Sequence, residues 1–384
     1  MIGHKGIKVL FVTHYRELYG ANNSLMQMIL ELRDKGIIPK VLMPDYEIQP
    51  GNDLGQELDK LGIEHLSARI RFDKHPDWKK AVPSYILNLL RRRDSLDSIL
   101  GMDFDIIHSN SSIISIGSYI AGKLGKPHIW HLREFGDLDY GMRTPFGKWF
   151  QKIIYGGNNT FIAISDSIRS HYSRWIGKQD IRVIYNGIKP SPKRQPEMHE
   201  IIEICIVGYI QREKGQLELI KAADILVNGR NIKNLHITLV GRSDYKYAEK
   251  INQYINERRL SDIVTMTGGR NDVPDLLTKM DIGVMASSHE AFGRTTVEYM
   301  MAGLAVIASD GGANKEIVTD GDTGLIYKSG DPESLADRIE SLISNPEERE
   351  RLAVNARKSA EKNFSSRANS DAVYNLYKEI LNLQ

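Results

Sequence analysis

The chain has 384 residues, with 51 Lys and Arg against 49 Asp and Glu, a formal net charge of +2, 41% hydrophobic and 26% charged residues. This composition excludes disordered, collagenous and membrane-bundle classes as well as a strongly basic nucleic-acid binder, and the length exceeds what one hydrophobic core usually serves, so two domains are expected. The charge is offset between halves: residues 1–190 hold 26 Lys and Arg against 20 Asp and Glu, the remainder 25 against 29. An ordinary solvated surface and a face held near an anionic membrane or ligand both fit that offset.

The first apolar run, Ile7 to Thr13, is interrupted by Lys8 and too short for a secretory signal, and no later run approaches the roughly 18 apolar residues of a membrane span. A cytoplasmic protein is therefore expected, and the Asn-x-Ser/Thr triplets at Asn22, Asn110, Asn158 and Asn363 carry no glycosylation reading. The run predicts a strand, followed by a helix from Ser24 to Lys35 that ends at Gly36. Further strands are predicted at Lys40–Met43, Phe104–Ser109, His128–His131 and Thr160–Ile164, with helices near Ser84–Leu100 and Ser115–Leu124. Strand and helix alternating in this way build parallel sheets, an α/β fold.

Residues 189–196 hold three prolines and break the pattern, which places a linker at 188–198. A second set of strands is predicted at Ile204–Gly208, Leu235–Val240, Ile263–Thr267, Ile282–Met285 and Ala305–Ser309. The single cysteine, Cys205, lies in the first of these; it excludes an intramolecular disulfide and reads as a small core residue. Pro332 to Glu361 reads as helical, and Arg367 to Leu383 as a final helix with Ala372, Val373, Leu376, Ile380 and Leu383 on one face. The expected organisation is two Rossmann-like doubly wound domains facing a cleft, 1–187 and 199–365, and a helix over 366–384 that packs back on the first domain.

Ligands of open parallel sheets bind beyond the carboxyl ends of the strands, so the loops there matter most. The segment Asp281 to Gly303 is a strand, a short loop and a helix opening at Gly293 or Arg294, whose free N–H groups and dipole suit a phosphate. Glu290 precedes that helix and Glu298 follows within its first two turns. Two carboxylates repel a phosphate but accept strongly from neutral hydroxyls, such as those of ribose or hexose; a favourable charge near a helix N-terminus is the plainer alternative. A second strand-loop-helix, Ile206 to Ala222, places Arg212 and Lys214 in its loop before Gly215, two cations that suit a diphosphate or simply a solvated turn.

Together these segments resemble the family 4 glycosyltransferases of GT-B fold, whose signature is a Glu, seven residues and a second Glu, as in Glu290 to Glu298. Val207-Gly208 with Lys214-Gly215, Leu239-Val240-Gly241 and Asp310-Gly-Gly-Ala-Asn314 extend the likeness, as do Tyr19-Gly20-Ala21-Asn22, Ala163-Ile164-Ser165 and Ile184-Tyr-Asn-Gly187 in the first half. The resemblance covers essentially the whole chain. It implies transfer of a sugar from a nucleotide-sugar donor, a UDP-sugar, to a glycan, lipid-linked or small-molecule acceptor, with retention at the anomeric carbon and no metal or other cofactor, in polysaccharide or glycoconjugate biosynthesis. Carried over by residue, Glu298 binds the ribose hydroxyls, Glu290 the transferred sugar, and Lys214 with Arg212 the diphosphate. The backbone of Phe292, Gly293, Arg294 and Thr295 cradles phosphate and sugar, with Gly20 and Gly208 also on the donor side. His131, ending the strand His128–His131, resembles the family's active-site histidine, while Arg133, Glu134 and Asn22 are acceptor candidates. Two departures stand out: Tyr209 occupies a place that is Arg in many relatives, and Gly20-Ala21 replaces two glycines.

Asp103-Phe-Asp105 has manganese-binding spacing but leads into a strand, at the wrong end of a sheet, and Asp137/Asp139 lack phosphate-binding context. Phe146, Trp149, Phe150, Ile153 and Ile154 beside Lys148 and Lys152, and Arg91-Arg-Arg93 near Leu89, read either as stripes packed on their own sheet or as a peripheral membrane contact at the inner face. A sugar-nucleotide epimerase of the same fold and a non-catalytic nucleotide-sugar-binding protein are the rival readings. A nicotinamide enzyme lacks its Gly-x-Gly-x-x-Gly.

Overall fold

In a computed structural model, which describes residues 6–48, 51–70, 72–91, 96–157, 159–177, 181–195 and 200–383, the chain divides into two units. Unit 1 is Met1–Gly187 with Ser366–Gln384, and unit 2 is Ile188–Ser365. Asn158 and the expected linker residues 196–198 lie outside the described residues. Ile188 donates its N–H to the Phe364 carbonyl at 2.8 Å and buried Arg194 pairs with Asp281 at 2.8 Å, so the Pro-rich stretch is fastened to unit 2.

Unit 1 holds seven parallel strands, β1 (Ile7–Val12), β2 (Ile37–Pro44), β3 (His65–Ala68), β4 (Ile106–Ser109), β5 (His128–Leu132), β6 (Asn159–Ala163) and β7 (Ile181–Val183), in the order β3-β2-β1-β4-β5-β6-β7. Helices cover both faces, which is why β1 reads as an unbroken apolar run. Alternate side chains divide between the two layers. Val9 and Phe11 join Leu25, Ile29 and Leu32 of helix Gly20–Arg33 and Val373, Leu376 and Tyr377 of helix Ser366–Ile380. Leu10 and Val12 face Ile116 and Ile120 of helix Ile116–Leu124. The C-terminal helix thus belongs to the core of the first unit, as expected.

Unit 2 holds six parallel strands, β8 (Ile202–Val207), β9 (Leu235–Val240), β10 (Val264–Gly268), β11 (Ile282–Met285), β12 (Ala305–Ser309) and β13 (Leu325–Tyr327), ordered β10-β9-β8-β11-β12-β13. Both sheets therefore reverse winding beside their first strand, at β1/β4 and β8/β11, the crevice where doubly wound folds take ligands. Cys205 is wholly buried in β8, and burial pushes its thiol up.

Three of the expected helices change. The helix expected over 84–100 is two, Trp78–Arg91 and Asp97–Leu100, with Pro83 accommodated inside the first. The helical stretch 332–361 breaks at Asn345, because Pro346 cannot continue the hydrogen-bond ladder of helix Pro332–Ser344; Asn345 instead accepts from Glu348 N–H at 3.1 Å and starts helix Pro346–Asn363. The first helix begins at Gly20, four residues earlier than its apolar face.

Candidate active site

In unit 2 the loop after β8 tightens into a 3-10 turn, Arg212–Lys214, that ends at Gly215. Gly215 has φ +72°, and a Cβ there would run into the Ala286 carbonyl, so only glycine lets this cationic turn lie against the chain leaving β11. Arg212 is exposed and Lys214 half-buried. Lys214 Nζ pairs with Glu290 Oε2 at 3.1 Å, while Glu290 Oε1 accepts from Gly293 N–H at 3.2 Å. One carboxylate thus ties the turn after β8 to the start of helix Arg294–Ala302, whose N-cap is Gly293.

That helix is pinned over the switch point by Tyr299. Its ring covers Gly283 of β11, where any side chain would collide, and its hydroxyl accepts from Val207 N–H at 2.6 Å. Arg294 Nε meets Glu298 Oε1 at 3.0 Å, one turn along. Burial raises the Glu298 carboxyl above its usual range, outweighing the lowering by Arg294. Phe292 is buried and packs its ring 6.0 Å from that of Phe364, and Thr295 is half-buried. Gly208 ends β8 with its N–H on the Val240 carbonyl at 2.9 Å, and Tyr209 follows it half-exposed.

Two buried oxygens beside Gly293, Thr296 Oγ1 and Asn314 Oδ1, have no hydrogen-bond partner among the described residues. Asn314 is oriented through Ser309 Oγ at 3.0 Å, which in turn donates to the Ser287 carbonyl at 2.6 Å. Unsatisfied buried oxygens at a helix N-terminus are places for a ligand's donors. Thr296 escaped the sequence reading, since nothing in a Thr-Thr pair shows which hydroxyl turns inward.

In unit 1, His131 is fully buried at the end of β5. Its Nδ1 lies 3.0 Å from His108 Nε2 and 3.4 Å from Arg133 Nη2, and His108 Nδ1 lies 2.6 Å from the Tyr377 hydroxyl. A guanidinium only donates, so Nδ1 of His131 accepts. His108 Nε2 then carries its hydrogen, His108 Nδ1 accepts from Tyr377, and His131 carries its hydrogen on Nε2, a buried atom with no partner among the described residues. Burial first, then Arg133, holds both imidazoles well below the ordinary histidine range, so the chain is neutral.

The other unit 1 candidates are committed to internal bonds. Asn22 is buried, donates to the Tyr15 and Glu17 carbonyls at 2.9 and 2.8 Å and accepts from Thr13 Oγ1 at 2.6 Å, which shapes the loop after β1. Arg133 bonds Asn110 Oδ1 and Asn186 Oδ1, and Glu134 Oε1 accepts from Ser111 Oγ, Ser112 N–H and Ser112 Oγ at 2.8, 2.6 and 2.7 Å. Both are buried and hold the ends of β4 and β5 together. Gly20 opens its helix with no atom near where a Cβ would stand. The sequence singles out His131 but gives no sign of Tyr377, which is 269 residues from His108.

Asp103 and Asp105 sit before β4 and are held by Lys8, while Asp139 accepts from Phe135 N–H and Asp137 lies 2.9 Å from His171 Nε2. Among the described residues, no group of three or more His, Cys, Asp or Glu could hold a metal ion.

Two family models match end to end: one for glycosyltransferase family 4 over residues 19–191, and one for glycosyl transferases group 1 over residues 189–359. An uncharacterised glycosyltransferase of Methanocaldococcus jannaschii is 28% identical over 77% of this chain and 81% of its own length. The capsular polysaccharide biosynthesis glycosyltransferase CapM of Staphylococcus aureus is 27% identical over 49% and 50%. Among solved structures, a glycosyltransferase from Rickettsia africae superimposes with a TM-score of 0.80 at 21% identity over 99% and 100% of the two chains. Anabaena HepE, in complex with UDP and glucose, does so with a TM-score of 0.76 at 19% identity over 96% and 99%.

Proposed function

We propose, from the premise that the chain belongs to the family 4 glycosyltransferases of GT-B fold, that it moves a hexose from a UDP-sugar to a glycan, lipid-linked or small-molecule hydroxyl, with retention and without a metal. The observation that carries the reading is the pair of exchangeable ion pairs at the β8/β11 switch point, Lys214–Glu290 and Arg294–Glu298, around the N-terminus of one helix. A donor offers each partner a better one: hydroxyls for the carboxylates and phosphate oxygens for the cations and the N–H groups at the helix start. Glu298 takes the ribose, Glu290 the sugar, and Lys214 with Arg212 the diphosphate. That HepE was solved with UDP and glucose supports the choice of nucleoside. The relationship to a capsular polysaccharide enzyme supports a polysaccharide or glycoconjugate product, and we place the reaction in the cytoplasm. Two glycosyltransferase family models tiling the chain favour this reading over an epimerase or a non-catalytic binding protein.

In the reaction, the bond from the anomeric carbon to the β-phosphate oxygen breaks and its electron pair stays on the phosphate. Cations and N–H groups fixed at that oxygen stabilise the developing charge. The acceptor hydroxyl attacks from the face the phosphate leaves, its oxygen bonds the anomeric carbon, and its proton passes to the departing phosphate. His131, neutral and with its hydrogen on Nε2, donates to a sugar or acceptor oxygen and does not act as the base.

Thermal shifts with UDP, GDP, ADP and NAD test this. Ligand at about 100 times its dissociation constant adds about 2.7 kcal/mol. A shift with UDP that disappears in Glu298→Ala is the expected result; a shift with NAD alone, or an unaffected variant, would overturn the donor site.

A further inference from the structure

We propose that unit 1 docks on an anionic lipid surface through a face built by Phe146, Trp149, Ile153 and Ile86. The inference is independent of the donor site, none of whose residues takes part.

Helix Lys148–Ile154 has two sides of opposite fate. Gln151 is buried, Phe150 and Ile154 are half-buried, and the Phe150 ring packs edge-on against Tyr85 of helix Trp78–Arg91 at 5.0 Å. These residues seat the short helix on its neighbour. Trp149 and Ile153, one turn apart, point the other way and are 62% and 60% exposed. Phe146, just before the helix, is 44% exposed, and Ile86 on the neighbouring helix is 46% exposed. The stripe that the sequence allowed to pack on its own sheet is therefore split, with its bulkiest side chains left in water. Isolated exposed apolar residues are ordinary, but aromatic and aliphatic groups gathered on two packed helices mark a binding face.

Charge identifies the occupant. The described stretches that build the face, residues 72–91 and 141–152, hold seven Lys and Arg, of which Lys74 is buried, against two Asp and no Glu, in a chain whose net charge is only +2. Lys152 is exposed on the helix itself, and Lys79 and Lys80 are exposed at the start of the neighbouring one; Arg92 and Arg93 lie outside the described residues. A Trp, Phe and Ile wedge rimmed by cations suits a headgroup layer, where the rings enter the interface and the cations meet lipid phosphates. An interface with a second copy would bring these cations face to face with each other. Among the described residues no helix is long and apolar enough to cross a membrane, so the contact lies on the surface.

Sedimentation of the full chain with vesicles of phosphatidylcholine alone, or with about 30% phosphatidylglycerol, tests the proposal. The chain should sediment with the anionic vesicles and stay in solution with the neutral ones. The bound fraction should fall about tenfold in Trp149→Ser/Ile153→Ser and be lowered by Lys152→Glu. Both substitutions lie on the exposed side, and an unchanged thermal melt confirms that folding is intact. No sedimentation with either vesicle, or equal binding by the double variant, would overturn the proposal. So would a dimer in solution that the double variant dissociates, since a second copy would then own the face.

Discussion

The loops after β8 and β11 in unit 2 and those after β1, β4 and β5 in unit 1 occupy equivalent places in sheets of the same winding, yet they handle polarity in opposite ways. Unit 2 presents ion pairs that water still reaches: the Lys214 and Glu290 side chains are 35% and 15% exposed. Such a pair is held at little desolvation cost and can trade partners when a charged ligand arrives. Unit 1 seals neutral imidazoles, His108 and His131, away from water, where charge would be expensive and geometry is fixed. The first arrangement suits binding and stabilising charge; the second suits aiming one hydrogen-bond donor.

The comparison breaks most decisively if the charge in unit 2 is dispensable. Lys214→Ala should lower the transfer rate about 100- to 1,000-fold, followed as UDP release, because a cation fixed at the leaving phosphate is lost. A variant with unchanged kcat and a raised donor KM would show that Lys214 serves binding alone. Next in size is Gly283→Ala, whose methyl meets the Tyr299 ring. A loss of up to about 3 kcal/mol in urea unfolding is expected from such overpacking; a loss below about 0.5 kcal/mol would mean the helix is not pinned there.

Acid should strike unit 1 through its sealed histidines. Burial lowers His128 to about 4 from the ordinary 6.5, so between those values the unfolded chain binds the proton that the native chain refuses. The stabilising effect of higher pH is complete above 6.5 and is lost as pH falls towards 4; by pH 5 the loss amounts to about 2 kcal/mol for this residue. Glu298 runs the other way. Its raised carboxyl makes the native chain the better proton binder, so its contribution falls as pH rises from the ordinary glutamate value through the raised one. Urea unfolding of the wild type and His128→Gln at pH 7 and pH 5 checks the first trend, and a variant as acid-sensitive as the wild type would contradict it.

Much of unit 2 was legible because its signals are local. Leu235–Val240, Ile282–Met285 and Ala305–Ser309 are strands to the residue, being short β-branched or apolar runs buried on both faces. Glu290, Glu298 and the helix start at Arg294 lie within nine residues of one another, so strand, loop and helix read as one device. The strands His65–Ala68, Ile181–Val183 and Leu325–Tyr327 were missed, because the last two have only three residues and the first, at the edge of its sheet, holds no β-branched residue. The expected helices ran through Pro346, where one helix stops and the next starts, and began only after Pro83, which sits inside a helix; only tertiary packing decides between the two outcomes. In unit 1 a polar Arg133-Glu134 pair looks like surface until burial and the Asn110, Asn186 and Ser112 partners are known.

The smallest expected effect tests the finest point of the comparison, that the buried chain aims His131. Tyr377→Phe removes the hydroxyl that His108 Nδ1 accepts from at 2.6 Å and leaves the ring's packing in place. The cost to stability is about 1–3 kcal/mol, that of an unsatisfied buried acceptor. If Tyr377 only supports the C-terminal helix, melting temperature falls and kcat at a permissive temperature does not. If it positions His131 through His108, kcat falls about tenfold while the donor KM holds, since a donor aimed at the reacting sugar contributes in the transition state. The nitrogen chemical shifts of His108 then move too: with no proton offered to Nδ1, His108 can exchange tautomers, whereas Arg133 keeps Nδ1 of His131 an acceptor. Unmoved shifts with unaltered kcat would reduce the chain from Tyr377 to a packing contact and leave Arg133 as the group that orients His131.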